Sequence, residues 1–253
     1  MSIHRLYLPG PWPTPPASVT ISGDEARHAV RVKRVREGEA AEVLSGDGAL
    51  GRGVVGKIIS SKRDDALRID LTEVVTQART KPLLEVWSSV PKGGESGDMI
   101  DMLSQLGCDV WRPLVCERSI AAATEHKLDR LRRVCIESAK QCGRARFLQI
   151  GDAISFADAI GTLGGGVSAS GPTIALICDG NGEPVSRVLS RVSGATRLVA
   201  LVGPEGGWSP GELALGKGAG LAAVRLAARV LRIETAAIAI AALVGAAPRA
   251  GEN

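Results

Sequence analysis

Apolar and polar positions change in short steps over the first 75 or so residues and in longer blocks beyond them. Apolar, β-type runs fall at 5–8, 41–44, 53–59 and 67–75. The breaks Ser45-Gly46-Asp47-Gly48 and Lys62-Arg63-Asp64-Asp65 read as hairpin turns, which predicts a small, mainly antiparallel β-domain. A proline-rich turn follows the first run. Ser22-Gly23-Asp24-Glu25 then fits a capping box, with Ser22 as N-cap and Glu25 three residues on, opening a short helix to about Arg31. The stretch 77–82 is polar, ends in Pro82, and reads as a linker dividing the chain into 1–76 and 77–253.

Past the linker, strand-like and helix-like segments alternate. The pattern predicts strands at 84–90, 110–116, 173–178, 197–202 and 224–226. It predicts helices at 95–106, 125–141 and 210–217, and a last helix from near Glu234. Such alternation implies βα crossovers and a mainly parallel sheet, the α/β class. The segment 161–172 holds five glycines and reads as a mobile surface loop. No internal repeat is visible.

Composition narrows the class. Hydrophobic residues make up 45% and charged residues 23%, values that exclude a disordered or collagen-like chain. Only 3% is aromatic, so alanine, valine and leucine must do most of the packing. The five cysteines are odd in number and form no CxxC, which argues against a disulfide framework or a structural zinc site and for a reducing, cytoplasmic setting. The first residues lack the apolar core of a signal peptide. The most apolar stretch, 235–247, is shorter than the roughly 20 residues of a membrane span. No membrane association and no metal are expected.

Two glycine patterns carry no chemistry. Gly46-x-Gly48-x-x-Gly51 lies in a hairpin without the helix that would hold a pyrophosphate. Gly211-x4-Gly216-Lys217 has Gly218 where a hydroxyl should meet magnesium, and it falls in a helix. The run 199–209, VALVGPEGGWS, is more informative: a buried strand enters Gly203-Pro204-Glu205-Gly206-Gly207, and Ser209-Pro210 starts a helix as N-cap and N1. Glycines there either make a tight turn or let backbone N–H groups approach a ligand at the sheet edge. The run 224–236, VRLAARVLRIETA, places Arg229, Arg232 and Glu234 between an apolar strand and an apolar helix. Arg232 and Glu234 must pair or line a cleft.

Net charge is only +4, yet cations cluster twice. Arg27, Arg31, Lys33, Arg34 and Arg36 form one group. Lys127, Arg130, Arg132, Arg133, Lys140, Arg144 and Arg146 form the other, where Leu128, Leu131, Cys135 and Ala139 make an apolar stripe along a helix. Each is either a solvated face or a phosphate-binding surface, and two together favour the second. His28 lies in the first group and is either an RNA contact or a plain surface residue.

Taken together, several segments resemble the 16S ribosomal RNA uracil-N3 methyltransferases of the SPOUT superfamily, the RsmE family. They are His28-x-Val30-Arg31-Val32-x-Arg34 with Gly38-Glu39; Cys116-Glu117-Arg118-Ser119; Gln141-Cys142-Gly143-Arg144; Val202-Gly203-Pro204-Glu205-Gly206-Gly207; and Arg229-Val230-Leu231-Arg232-x-Glu234-Thr235-Ala236. The resemblance spans nearly the whole chain. It implies an N-terminal PUA-like β-barrel that helps hold RNA and a SPOUT α/β domain with a C-terminal deep trefoil knot. It implies S-adenosyl-L-methionine (AdoMet) as cofactor, held by Leu201, Val202, Gly203, Pro204, Glu205, Gly206, Gly207, Leu226, Ala227, Val230, Leu231, Arg232 and Thr235.

The implied reaction methylates N3 of a uridine in 16S rRNA or the assembled small ribosomal subunit, by a homodimer. Glu205 and Glu234 are both candidate bases, and Arg232 either stabilises the anionic uracil or holds phosphate. Candidate RNA contacts are Arg27, His28, Arg31, Arg34, Arg36, Arg118, Gln141 and Arg144. A SPOUT enzyme acting on another RNA nucleotide and a non-catalytic RNA-binding assembly protein are the alternative readings. Gln105, Lys140, Ala227 and Ile233 depart from the residues usual in the family.

Overall fold

The computed structural model describes residues 3–60, 64–163, 167–168, 171–189 and 194–246. The chain divides into two compact units, Met1–Ala78 with Ile136–Phe147, and Arg79–Cys135 with Leu148–Asn253. A linear division at residue 77 puts 136–147 in the second part, whereas this segment clusters with the first.

In the first unit, β1 (His4–Tyr7) and β2 (Ala17–Ser22) precede α1 (Gly23–Arg27) and a π-helical turn, His28–Val32. Strands β3 (Ala40–Leu44), β4 (Ala49–Ser60) and β5 (Asp65–Thr76) follow. The sheet order is β1-β3-β4-β5-β2, antiparallel except for the β1–β3 pair. Leu6, Ile21, Val43, Leu67 and Ile69 point inward from the strands, and Ala26 of α1 packs with them to form the core. The sheet is not closed, so the expected barrel is corrected to an open five-stranded sheet ending at β1 and β2. Between those two strands lie Pro11, Pro13, Pro15 and Pro16, which have no N–H to extend a ladder.

The capping box expected at Ser22 is not made: the Ser22 side chain caps nothing. Glu25 instead accepts the Tyr7 backbone N–H at 3.0 Å and the Lys140 ammonium at 2.9 Å. Lys140 is itself buried and also pairs with Glu137 at 2.7 Å. Of the second hairpin break, Lys62 and Arg63 lie outside the described residues. The polar stretch after β5 is anchored in this unit, because the Gln77 side chain accepts the Ala145 N–H and the Gln77 carbonyl accepts Arg146 Nε.

The second unit continues with β6 (Leu83–Ser88), α2 (Glu95–Gln105), β7 (Val110–Val115) and α3 (Glu125–Cys142), whose last turns belong to the first unit. Next come β8 (Gln149–Ile150), β9 (Ile154–Ser155), α4 (Phe156–Leu163), β10 (Val167–Ser168), β11 (Gly171–Pro184) and α5 (Val185–Leu189). Finally come β12 (Arg197–Val202), α6 (Pro210–Gly218), β13 (Ala222–Arg225) and α7 (Ile233–Gly245). The main path of the sheet runs β11-β12-β6-β7-β8, with β13 on the far side of β11. Every pair on it is parallel, and β10 adds an antiparallel hairpin.

Alternate residues of each strand feed two cores. Leu84, Val86, Leu198 and Ala200 pack with Met99, Ile100 and Leu103 of α2 and Ile240 and Val244 of α7. Trp87, Val199 and Leu201 pack with Phe156 and Ile160 of α4. The segment 161–172, expected as a loop, begins inside α4 and ends inside β11: Leu163 is buried, and its spacing from Phe156, Ala159 and Ile160 makes one apolar helix face. Residues 164–166 and 169–170 lie outside the described residues. No described helix is long and apolar enough to cross a membrane.

The Lys140 cluster yields a stability prediction. Removing Glu25 leaves a buried ammonium with only the exposed Glu137, so Glu25→Ala should cost about 3 kcal/mol in chemical denaturation. Lys140→Met, which removes the charge together with its need for a partner, should cost less than Glu25→Ala.

Candidate active site

The parallel strands β6, β7, β11, β12 and β13 all end at one edge of the second sheet. From β6 the strand order steps outward to β7, and from β12 it steps the other way to β11. The reversal therefore lies between β12 and β6, where open α/β sheets place their ligand crevice. At this edge the Ser89 N–H donates to the Val202 carbonyl at 3.0 Å, joining the two exits.

The glycine loop leaves β12 with Leu201, Val202 and Pro204 buried and Glu205, Gly206 and Gly207 exposed. The Gly207 N–H donates to the Pro204 carbonyl at 2.8 Å with Gly207 at φ +71°, a turn that glycine makes without strain. At Gly203 a Cβ would come within 2.8 Å of the Trp208 indole, so this position has no room for a side chain. Trp208 packs on Phe156 and donates its Nε1–H to the Cys178 carbonyl at 2.9 Å. The expected N-cap at Ser209 is present. Ser209 Oγ accepts the Glu212 N–H, and Glu212 returns the bond to the Ser209 N–H at 2.8 Å.

Besides Trp208 of the motif run itself, two residues outside the motif reading hold this loop: Ser89 and Glu212. Glu212 is buried, and its second oxygen accepts the Glu117 N–H at 2.9 Å, tying the start of α6 to the turn after β7. In that turn Ser119 Oγ accepts the Cys116 N–H at 2.9 Å and lies 3.2 Å from Ser89 Oγ. The spacing Ser209-x-x-Glu212 is itself a capping-box pattern and would have located Glu212 from sequence. Arg118, expected to contact RNA, donates Nη1 to the Gly206 carbonyl at 2.9 Å, so it holds the glycine loop.

The second loop follows β13. Leu226 and Leu231 are half-buried, whereas Ala227, Ala228, Arg229, Val230 and Arg232 are exposed, Val230 at 95%. Arg232 is the N-cap of α7, Ile233 enters the core, Glu234 is half-buried and Thr235 is exposed. No ion pair joins Arg232 to Glu234 among the described residues, so of the two arrangements open to them the pair is not formed. Both loops leave the same sheet edge, and their strands are separated by β11.

The expected RNA contacts are dispersed in role. Arg27 pairs with Asp24 at 3.2 Å, and Arg31 pairs with the buried Asp65 at 2.6 Å. His28 and Arg144 are half-buried, Arg34 and Arg36 are exposed, and Gln141 is exposed with its carbonyl accepting Arg5 Nη1 at 3.0 Å. Lys140 is no part of a solvent-facing cation surface. Near the β6 exit, Lys127 donates to the Pro91 carbonyl at 3.4 Å, and burial together with Arg130 lowers its ammonium pKa. Burial pushes the Cys116 thiol up to about 11 and the Cys178 thiol up to about 12.

Comparison with known proteins bears on this edge. A family model described as an RNA methyltransferase domain matches residues 79–245, and one described as an RNA methyltransferase PUA domain matches residues 21–63. Ribosomal RNA small subunit methyltransferase E of Mycobacterium bovis is 30% identical over 248 residues, spanning 96% of this chain and 92% of its own length. The protein of that name from Synechocystis is 28% identical over 230 residues, spanning 87% of this chain and 70% of its own. The solved structure of a ribosomal RNA small subunit methyltransferase E from Neisseria gonorrhoeae bound to S-adenosyl methionine shares the fold. Its TM-score is 0.80 at 24% identity, covering 96% of each chain.

Two measurements check the site. Gly203→Ala should cost about 1–3 kcal/mol by forcing the Trp208 ring aside, and should change tryptophan fluorescence; an unchanged unfolding midpoint would refute the packing at this glycine. A raised thiol pKa favours the neutral form, so Cys116 and Cys178 should resist iodoacetamide at pH 8 while the exposed Cys142 reacts. Peptide mapping after alkylation reads the difference.

Proposed function

Because this chain belongs to the RNA methyltransferase family, we propose that it transfers a methyl group from AdoMet to N3 of a uridine in 16S rRNA of the small ribosomal subunit. The observation that carries the reading is the pair of loops at one sheet edge, 203–209 and 226–232, one glycine-rich and rigidly supported, the other basic and exposed. The named relatives are small-subunit rRNA methyltransferases over nearly the length of this chain. The RNA acted in the cytoplasm would be free rRNA or an assembled subunit.

The residues present fit AdoMet. Leu201, Val202, Gly203, Pro204, Glu205, Gly206 and Gly207 bring the chain to this edge, and the glycines there add no side-chain bulk of their own. Leu226, Ala227, Val230 and Leu231 supply apolar surface, and Arg232 and Thr235 stand exposed at the start of α7. Bound AdoMet supplies an activated methyl group, which leaves the protein to orient the uracil and take its N3 proton. Glu205, in the exposed glycine loop, or Glu234, in the first turn of α7, would accept that proton. Arg232 offsets the negative charge that spreads over the uracil oxygens, or holds an adjacent phosphate.

In this reading residues 1–76 are a PUA-like RNA-holding domain and 77–253 the SPOUT methyltransferase domain. Strand β13 lies beyond β11, yet α7 packs on α2, β6 and β12. That path supports threading of 226–232 as a trefoil knot. We assign the working form as a homodimer on the family resemblance.

The test incubates purified protein with methyl-labelled AdoMet and small subunits lacking the modification, then identifies labelled nucleosides by mass spectrometry. N3-methyluridine at one 16S position is expected; label on another nucleoside would change the substrate, and none would refute the reading. Arg232→Ala should lower transfer about 10²–10³-fold with an unchanged circular dichroism spectrum. Unchanged turnover would remove Arg232 from the mechanism.

A further inference from the structure

The two loops assigned to AdoMet leave strands β12 and β13, and β11 lies between those strands. Whatever stands at the β11 exit therefore faces a ligand that spans both loops. Up to Cys178 the three strands run in register, with Cys178 level with Val202 of β12 and Val224 of β13. Beyond that row the pairing stops. The next residues are Asp179 on β11 and Gly203, which opens the glycine loop. Val224 is paired a second time, with Glu183, so residues 179–182 are extruded from the sheet at this edge.

The extruded turn is held at both ends. The Cys178 carbonyl accepts the Trp208 Nε1–H at 2.9 Å, which ties the start of the turn to the glycine loop. At Gly182 a Cβ would come within 2.5 Å of the Ala223 and Val224 backbone, so the turn closes against β13 with no room for a side chain. At Gly180 a Cβ would meet nothing within 4 Å, so the tip is open. Asp179 is half-buried at the base of the turn, and its Oδ1 accepts the Asn181 N–H at 3.1 Å. Its carboxylate makes no ion pair among the described residues. An ionised carboxylate has about four acceptor sites, and that single backbone bond leaves most of them unused.

We propose that Asp179 binds AdoMet by accepting hydrogen bonds from its ribose hydroxyls. The inference rests on the AdoMet reading and adds a contact that neither loop supplies. The ribose joins the adenine to the methionine part, so it is the middle of a molecule laid across two loops. It is also where the cofactor carries two neighbouring hydroxyl donors. The apolar side chains of Leu226, Val230 and Leu231 suit the adenine and offer a diol nothing. A carboxylate takes such a diol through charge-assisted O–H···O bonds. The Asn181 N–H orients the carboxylate beforehand, which spares the ligand part of the ordering cost.

The experiment measures binding to the full-length protein by isothermal titration calorimetry, alongside thermal unfolding. The ligands are AdoMet and methylthioadenosine, which keeps the ribose and lacks the amino-acid end. Asp179→Asn retains an oxygen for the Asn181 N–H, so its unfolding temperature should match the wild type. Its Kd for AdoMet should rise about 10–100-fold, the loss expected for a hydrogen bond to a charged group. Its Kd for methylthioadenosine should rise by a similar factor. Glu183→Gln, which removes a charge at the far end of the same turn, should bind both ligands as the wild type does.

Wild-type affinity in Asp179→Asn, or equal weakening by Glu183→Gln, would overturn the proposal while AdoMet binding by the wild type leaves the underlying reading intact. A loss confined to AdoMet would put the carboxylate on the ammonium and overturn the ribose assignment. A wild-type protein that binds neither ligand would overturn the AdoMet reading and this one with it.

Discussion

One side chain does more than any other to shape the candidate site. Glu212 is nearly buried and accepts two backbone N–H groups, from Ser209 and from Glu117, which lies 95 residues earlier. Either donor left unmet in that place would cost about 1–3 kcal/mol. Satisfying both makes the end of the glycine loop, the first turn of α6 and the turn after β7 a single piece. Arg118, next in the chain to Glu117, then reaches the Gly206 carbonyl, so the loop is fixed from its outer side by the same turn. A loop held this way has little conformational entropy left to lose on binding, which is the advantage of preorganisation.

Much of this edge was legible in the sequence because its signals are local. An uninterrupted apolar strand, a glycine run and Ser209-Pro210 each act over a few residues, and β12, the loop and the N-cap all follow. The last helix is legible for the same reason. Signals that depend on distant partners are not. Ser22 and Glu25 have capping-box spacing, yet Glu25 turns to Tyr7 and to Lys140, 115 residues away, where a buried ammonium competes with a helix terminus. Helix α4 was hidden by the glycines that follow it. The clustering of Ile136–Phe147 with the first unit depends on tertiary bonds such as Gly46 to Phe147, to which no sequence period points.

The four departures from the family's usual residues separate in the structure. Gln105 is exposed on α2 and donates to Asp101 of the preceding turn. Ala227 is exposed in the second loop. Ile233 is buried in the core at the start of α7. Lys140 is the consequential one, since its charge is matched by Glu25 and Glu137. A change that reads from sequence as one of surface charge is in fact part of a buried ion cluster.

The arginines carry the same lesson into function. Arg118, in the turn after β7, and Arg232, at the end of the second loop, are both cations, but their chemistry diverges with their partners. Arg118 spends donors on loop carbonyls, so engaging a phosphate with them would release the turn it holds. Arg232 caps α7 with its side chain exposed and makes no ion pair among the described residues, so its charge is available to whatever enters the edge. In the first unit Arg31 and Arg34 divide likewise, one tied to a buried carboxylate and the other exposed with no ion pair among the described residues. A run of positive charge therefore does not say which cations are free to bind: Arg118 and Arg31 have donors committed to loop carbonyls and a buried carboxylate, whereas Arg232 is exposed with no ion pair among the described residues.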